Sequence, residues 1–221
     1  MSIDLIVSGG ALGSDSVWSY IAEQNGVPKD KIIHIIGTGL SRPVGNEARK
    51  EEQQSGTNKV LTLKELNTAI EEMVKLQVRI SGVTADSYFS NYFKYGYAAL
   101  SYAQKLHARN YYQTAMTDNI YAVTKLVNNE PAGGTATAIN LGILMGKKIY
   151  VLNTEDCQWY AYINGKFELT DNVHLEGKCA CIGTRTLVKY KTKKYGMWVD
   201  APYVGETKEK KLREAMTEAI R

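Results

Sequence analysis

The chain has 221 residues, 44% hydrophobic and 23% charged, with a formal net charge of +4. That length suits one domain with a sizeable core, and the composition is ordinary for a globular protein. No apolar run reaches membrane-spanning length, and a mild charge without a concentrated basic stripe argues against nucleic acid as a partner.

The apolar run Ile3 to Val7 reads as a buried strand, and Asp4 breaks any resemblance to a signal segment, so the expected location is cytoplasmic. The glycine-rich turn Ser8-Gly9-Gly10-Ala11-Leu12-Gly13-Ser14-Asp15 follows. Asp15 to Gln24 carries Val17, Trp18, Ile21 and Ala22 at helical spacing and stops at Gly26. Ile32 to Ile36 is a second short strand. Gly37 to Gly56, with Arg42-Pro43 and the charged run Arg49 to Glu52, reads as a loop or partly ordered excursion. Thr62, with Glu65 three positions on, marks a helix start, and Leu66, Ile70, Met73 and Val74 continue its apolar stripe. The spacing predicts one long helix from about Ser87 to Ala108, dense in aromatics, with Tyr88 over Tyr92 and Phe89 over Phe93. These rings suit core packing or a subunit interface.

Asn119 to Val123 is a third strand. A second glycine-rich turn, Pro131-Ala132-Gly133-Gly134-Thr135-Ala136-Thr137, opens a helix over Ala138 to Gly146, and Lys148 to Leu152 is a fourth strand. Alternating strands and helices predict an α/β, Rossmann-like parallel sheet with helices on both faces. From about residue 153 to 204 the character turns β-rich, including a hairpin around Asn164-Gly165. Residues 205–221 form a closing helix with Leu212, Ala215, Met216, Ala219 and Ile220 on one stripe. Nothing splits the chain, so residues 1–221 read as a single domain.

Each glycine-rich turn lies between a strand and a helix. Glycine admits a close ligand, and a helix N-terminus offers unpaired N–H groups and partial positive charge. Two such ends facing one crevice make a site for a phosphorylated, nucleotide-like molecule. Ser8, Gly9, Gly10, Ala11 and Gly13 would present backbone N–H groups to one end of it. Gly133, Gly134, Thr135 and Thr137 would line the other. Asp15 either serves the helix dipole or holds a ribose hydroxyl. Arg109 is the main candidate for a bidentate phosphate contact, the alternative being an ion pair with a carboxylate such as Asp118. Asn110 and Gln113 could read polar edges of a base or sugar, and Arg185 could reach the same crevice. His107 reads as orienting a neighbouring loop, and Trp18 as core.

Cys157, Cys179 and Cys181 form no even disulfide framework and read as structural thiols. The cluster Lys189, Lys191, Lys193 and Lys194, beside Tyr190 and Tyr195, reads as a solvated loop or as an anion-attracting flap. No catalytic residue, metal or cofactor is assigned.

Several stretches in order carry a family resemblance. Leu106-His107-Ala108-Arg109-Asn110, Thr117-Asp118-Asn119-Ile120-Tyr121-Ala122-Val123 and the second glycine-rich turn resemble the SMF/LOG (SLOG) superfamily, which includes the LOG phosphoribohydrolases. Ser8 to Trp18, then Arg109, Asn110 and Gln113, then Gln158-Trp159-Tyr160 and Cys181-Ile182-Gly183-Thr184-Arg185 resemble the SLOG proteins of phages and prophages more narrowly. The resemblance covers most of the chain and is weakest between about Gly37 and Val83. It implies a nucleotide-binding crevice and a homo-oligomer. The enzymes' glutamate is replaced by Asn140, which cannot ionise, the lysine of their His-x-Arg-Lys stretch is Asn110, and Thr124 to Glu130 is inserted. The resemblance therefore implies binding, with sequestration of an ADP-ribose derivative or cyclic nucleotide signal as the expected role. The alternatives are an N-glycosidase in which Asp15 or Asp118 replaces the missing acid, and a single-stranded DNA-binding module.

Overall fold

The computed structural model describes residues 2–38, 40, 50–194 and 197–221. Its centre is an eight-stranded sheet. In chain order the strands are β1 (Ile3–Ser8), β2 (Ile32–Gly37), β3 (Thr57–Leu61), β4 (Asn119–Thr124), β5 (Lys148–Asn153), β6 (Trp159–Ile163), β7 (Lys166–Leu169) and β8 (Gly177–Gly183). They lie in the order β7-β6-β5-β4-β8-β1-β2-β3. The six strands from β5 to β3 run parallel, and β6 and β7 add an antiparallel hairpin at one edge.

Five longer helices cover the sheet: α1 (Ser14–Gln24), α2 (Leu63–Lys75), α3 (Tyr102–Ala115), α4 (Thr135–Leu144) and α5 (Glu206–Ile220). Because successive strand residues point to opposite faces, β4 and β8 each supply both halves of the core. Tyr121, Val123, Cys179 and Cys181 pack with Trp18 of α1 and with Leu212 and Met216 of α5. Ile120, Ala122, Ala180 and Ile182 face Ala138 and Ile139 of α4. Val7 and Ile35 pack on that second face with Leu66 and Ile70 of α2 and Ala108 of α3. Burial on both faces explains the nearly unbroken apolar runs of the inner strands.

The α/β architecture with helices on both faces is therefore present, with a β-rich C-terminal region. That region is no mere excursion. It completes one sheet edge through the β6–β7 hairpin, whose turn places Asn164 and Gly165 at φ 50° and 87°. It also supplies β8, which lies between β4 and β1 at the centre of the sheet. Cys179 and Cys181 sit there, buried, with burial raising both thiols, Cys179 to about 12.

Other boundaries differ from the sequence reading. The expected helix from Ser87 to Ala108 is broken into Ala85–Tyr88, Ser90–Tyr95 and α3. Gly96 interrupts it at φ 76°, and Ser101 starts α3 afresh with a capping box to Gln104. Phe89 is core, whereas Phe93, Tyr95 and Tyr102 are exposed. Between Gly37 and Gly56 a short helix spans Lys50–Gln54, while residues 39 and 41–49, with Arg42-Pro43 and Arg49, lie outside the described residues. The helix after the second glycine turn starts at Thr135, three residues before the expected Ala138. The insertion after β4 forms a small ribbon, Leu126–Val127 against Glu130–Pro131. Lys191–Lys194 pairs with Met197–Asp200 in another, and Tyr195 lies outside the described residues.

Helix α3 carries much of the cavity wall described below, so its start matters. Ser101→Ala is expected to cost about 1 kcal/mol by removing the side-chain acceptor of the Gln104 N–H. A chemical-denaturation midpoint measures the loss.

Candidate functional site

Three strand ends meet at the carboxyl edge of the sheet: those of β4, β8 and β1, which are neighbours. This is the point where strands β1 to β3 run outward to one side and β4 to β7 to the other, the usual place for a ligand crevice in an open parallel sheet. A cavity of about 260 Å³ lies there. Ala11 and Asp15 come from the segment after β1. Gly133, Gly134 and Thr135 come from the start of α4, and Gly183, Thr184 and Arg185 from the end of β8. Helix α3 closes the wall with Leu106, His107, Asn110 and Gln113, spaced along one face, and with Arg109.

The two glycine-rich turns thus converge on one cavity, but they do different work. In the first turn, Gly9 and Ala11 donate their N–H groups to Asp15 Oδ2 at 3.1 and 3.3 Å. Gly10 donates to Ser8 Oγ at 3.2 Å. The N–H groups of Gly9, Gly10 and Ala11, expected to face a ligand, are instead committed inside the turn. Gly13, at φ 118°, packs instead on the backbone of Thr184 and Arg185, where a Cβ would fall 2.6 Å from Arg185 Cα. Ser8 is fully buried and donates to His34 Nδ1 at 2.6 Å. The direction follows because His34 Nε2 must donate to the Ser55 carbonyl at 2.8 Å.

Asp15 is 4% exposed. Its other oxygen accepts the Gly183 N–H at 3.0 Å, so one carboxylate joins the turn after β1 to the end of β8. Burial raises its pKa, opposed by Arg109 and by the Ala11 and Gly183 N–H groups. With three donors already on it, Asp15 is a frame element rather than a group reaching for a ribose hydroxyl.

Arg109, 9% exposed, spans the same region. Its Nη1 donates to the carbonyls of Gly9 at 2.6 Å and Ile35 at 3.2 Å, so its partners are these carbonyls and not Asp118. Its Nε is buried without a partner. A Cβ at position 9 would collide with the guanidinium and with the Asp15 carboxylate, which explains the glycine.

The second turn commits the Ala132 N–H to the Lys125 carbonyl at 3.0 Å and the Ala136 N–H to the Gly133 carbonyl at 3.2 Å, and leaves those of Gly133, Gly134 and Thr135 without a backbone partner among the described residues. Gly133, Gly134 and Thr135 line the cavity at the open N-terminus of α4. Asn110 Nδ2 donates to the Gly134 carbonyl at 3.4 Å. Thr137 lies a turn further in, lines an adjoining groove rather than the cavity, and shares a 2.8 Å hydrogen bond with His107 Nδ1. Burial, then Arg109, pushes the His107 imidazole down to about 4, so it is neutral at pH 7.

Two further side chains face the cavity without protein hydrogen bonds among the described residues. Gln113 is 3% exposed, and Arg185 stands on the short helix Arg185–Leu187. Since Asp15 offsets Arg109, Arg185 leaves the cavity with surplus positive charge. Other lining residues, among them Leu106, Ala132, Ile182, Gly183 and Thr184, were not assigned to the site from sequence; each lies within three residues of one that was, the only signal that could have found them. Asn140 does not line it. Its amide points into the adjoining groove and donates to the Arg79 carbonyl at 3.3 Å.

Among the described residues no helix is long and apolar enough to cross a membrane. Comparison with protein-family models, curated proteins and solved structures finds no match to this chain.

Removing the Asp15 charge leaves Arg109 buried without its counter-charge and three N–H groups poorly paired. Asp15→Asn is therefore expected to cost about 3–5 kcal/mol, read from equilibrium unfolding. His107 gives a pH signature. Its folded pKa lies below the unfolded value of about 6.5, so the stability it supports is present above pH 6.5 and lost as pH falls toward 4. His107→Gln is expected to shrink the difference between unfolding midpoints at pH 7 and pH 4.5.

Proposed function

We propose that this chain is a SLOG-type protein that binds a nucleotide-derived anion and retains it unchanged. The observation that carries the reading is the state of Gln113 and Arg185. A nearly buried amide and a guanidinium line one cavity without protein hydrogen bonds, beside the open N-terminus of α4. These groups keep hydrogen-bonding capacity that a guest in the cavity could take up. The surplus charge of Arg185 and the α4 N–H groups suit phosphate, and the Gln113 and Asn110 amides suit a base or sugar edge.

Retention rather than cleavage is supported by what surrounds the cavity. Asp15 is the one carboxylate lining it among the described residues, and it is held by three backbone N–H groups. His107, at about 4, is a weak base at neutral pH. Asn140 stands where the resembling enzymes carry a glutamate, and it lines the groove next door. The resemblance to phage and prophage SLOG proteins supports a sponge acting in the cytoplasm, one that sequesters an ADP-ribose derivative or a cyclic nucleotide signal of host defence. The exposed rings of Phe93, Tyr95 and Tyr102 support a homo-oligomer.

Calorimetric titration with AMP and ADP-ribose, followed by chromatography of the mixture, tests this reading. The expected result is saturable binding with the ligand recovered intact. Released free base would establish an N-glycosidase instead, and failure of both probes to bind would remove the site. Arg185→Ala is expected to weaken binding by about 10- to 150-fold, the loss of one charge-assisted hydrogen bond of about 1.5–3 kcal/mol. Arg109→Ala is the less clean variant, because Arg109 also clamps the carbonyls of Gly9 and Ile35.

A further inference from the structure

Beside the cavity runs a larger groove of about 940 Å³. Its floor is the outer face of α4, where Ala136, Asn140 and Ile143 lie along one helical stripe. Its far wall is the edge hairpin, with Tyr162 on β6 and Phe167 on β7, rings 5.1 Å apart. Arg79 and Glu130 contribute one charge of each sign, so the groove is polar without a net charge of its own.

The two spaces share a wall. Gly133 and Gly134 line both. A Cβ on Gly133 would meet nothing within 4 Å, and one on Gly134 would meet only His107 Cε1 at 3.9 Å. The turn is thus a low, open saddle, and it lies at the α4 N-terminus, where an anion is stabilised. The cavity alone falls just below the range of about 300–1,000 Å³ usual for small-molecule pockets. It has room for one part of a dinucleotide-sized molecule, and the groove has room for the other.

Resting on the binding role argued above, we infer that the ligand is bipartite: a diphosphate-bridged, dinucleotide-like molecule whose phosphates cross the Gly133–Gly134 saddle. One end lies in the cavity with Gln113 and Arg185. The other, an uncharged sugar or base, lies in the groove against Tyr162 and Asn140. The division follows the chemistry of the two walls, cationic on one side and neutral with an aromatic ring on the other. It also gives Asn140 a position beside the second half of the guest.

The probes are AMP, which matches one half, and ADP-ribose, which carries two halves joined by a diphosphate. Both are titrated calorimetrically into the full chain. The wild-type protein is expected to bind ADP-ribose at least tenfold more tightly than AMP. Asn140→Trp, which fills the groove, is expected to bring ADP-ribose down to the AMP level while leaving AMP unchanged. Tyr162→Ala, a milder change that keeps the proposal testable if the tryptophan variant misfolds, is expected to weaken ADP-ribose about fivefold and leave AMP unchanged. AMP binding without the tenfold gain, or undiminished ADP-ribose binding in both variants, overturns the bipartite ligand and leaves the single-cavity reading standing. Equal loss of both probes in Tyr162→Ala also overturns it, because the groove would then not be a separate subsite. Failure of both probes in the wild-type protein removes the binding reading and this inference with it.

Discussion

The structure around the cavity depends on one buried carboxylate. Asp15 gathers N–H groups from Gly9 and Ala11 on one side and from Gly183 on the other, and so ties the loop after β1 to the end of β8. A carboxylate this deep survives only when its lone pairs are met and a cation lies near. Arg109 supplies the cation, held in turn by the carbonyls of Gly9 and Ile35, which connects α3 to the ends of β1 and β2. Three layers of the fold are therefore registered against a single side chain in the first turn of α1.

That arrangement divides the labour between the two glycine-rich turns. The first has the composition of a phosphate cradle, yet its donors face inward to Asp15 and Ser8. It builds the frame. The second sits at the start of α4 with open space above Gly133 and Gly134, and it lines the cavity. Because the charge of Asp15 is matched by Arg109, the field in the cavity is set by Arg185, at the end of the strand that enters the sheet last in chain order. A similar division runs along α3: Arg109 turns back into the fold, while Gln113 one turn later lines the cavity.

Much of the architecture was legible because its signals are local. Ile3 to Val7, the Thr62–Glu65 capping box and the Asn164-Gly165 turn each state their conformation within a few residues. The misses have physical causes. Strand β3, Thr-Asn-Lys-Val-Leu, has little apolar content because most of it is not buried, so its pairing with β2 leaves no pattern. Strand β8 mixes small residues and cysteines, which suit a tightly packed centre but read as featureless. The aromatic stretch satisfies helical periodicity until Gly96 breaks it. At the site, the convergence of the two turns could be read from strand-turn-helix order. The partners could not, because Arg109 reaches 100 residues back to Gly9, and a capping-type acid looks the same whether it binds a ligand or its own backbone.

The central place of β8 has a consequence for how the molecule assembles. Until residues 177–183 arrive, β1 and β4 each present a bare inner edge, and the sheet exists only as two halves with nothing joining them. Such distant pairings carry a large loop-closure cost and are slow to form. The strand that closes the gap also delivers Gly183 to Asp15 and Arg185 to the cavity, so the sheet and the cavity wall are completed in one event. A chain that has not zipped has no complete cavity, and any molecule that bound only the finished cavity would pull the folded form forward by mass action.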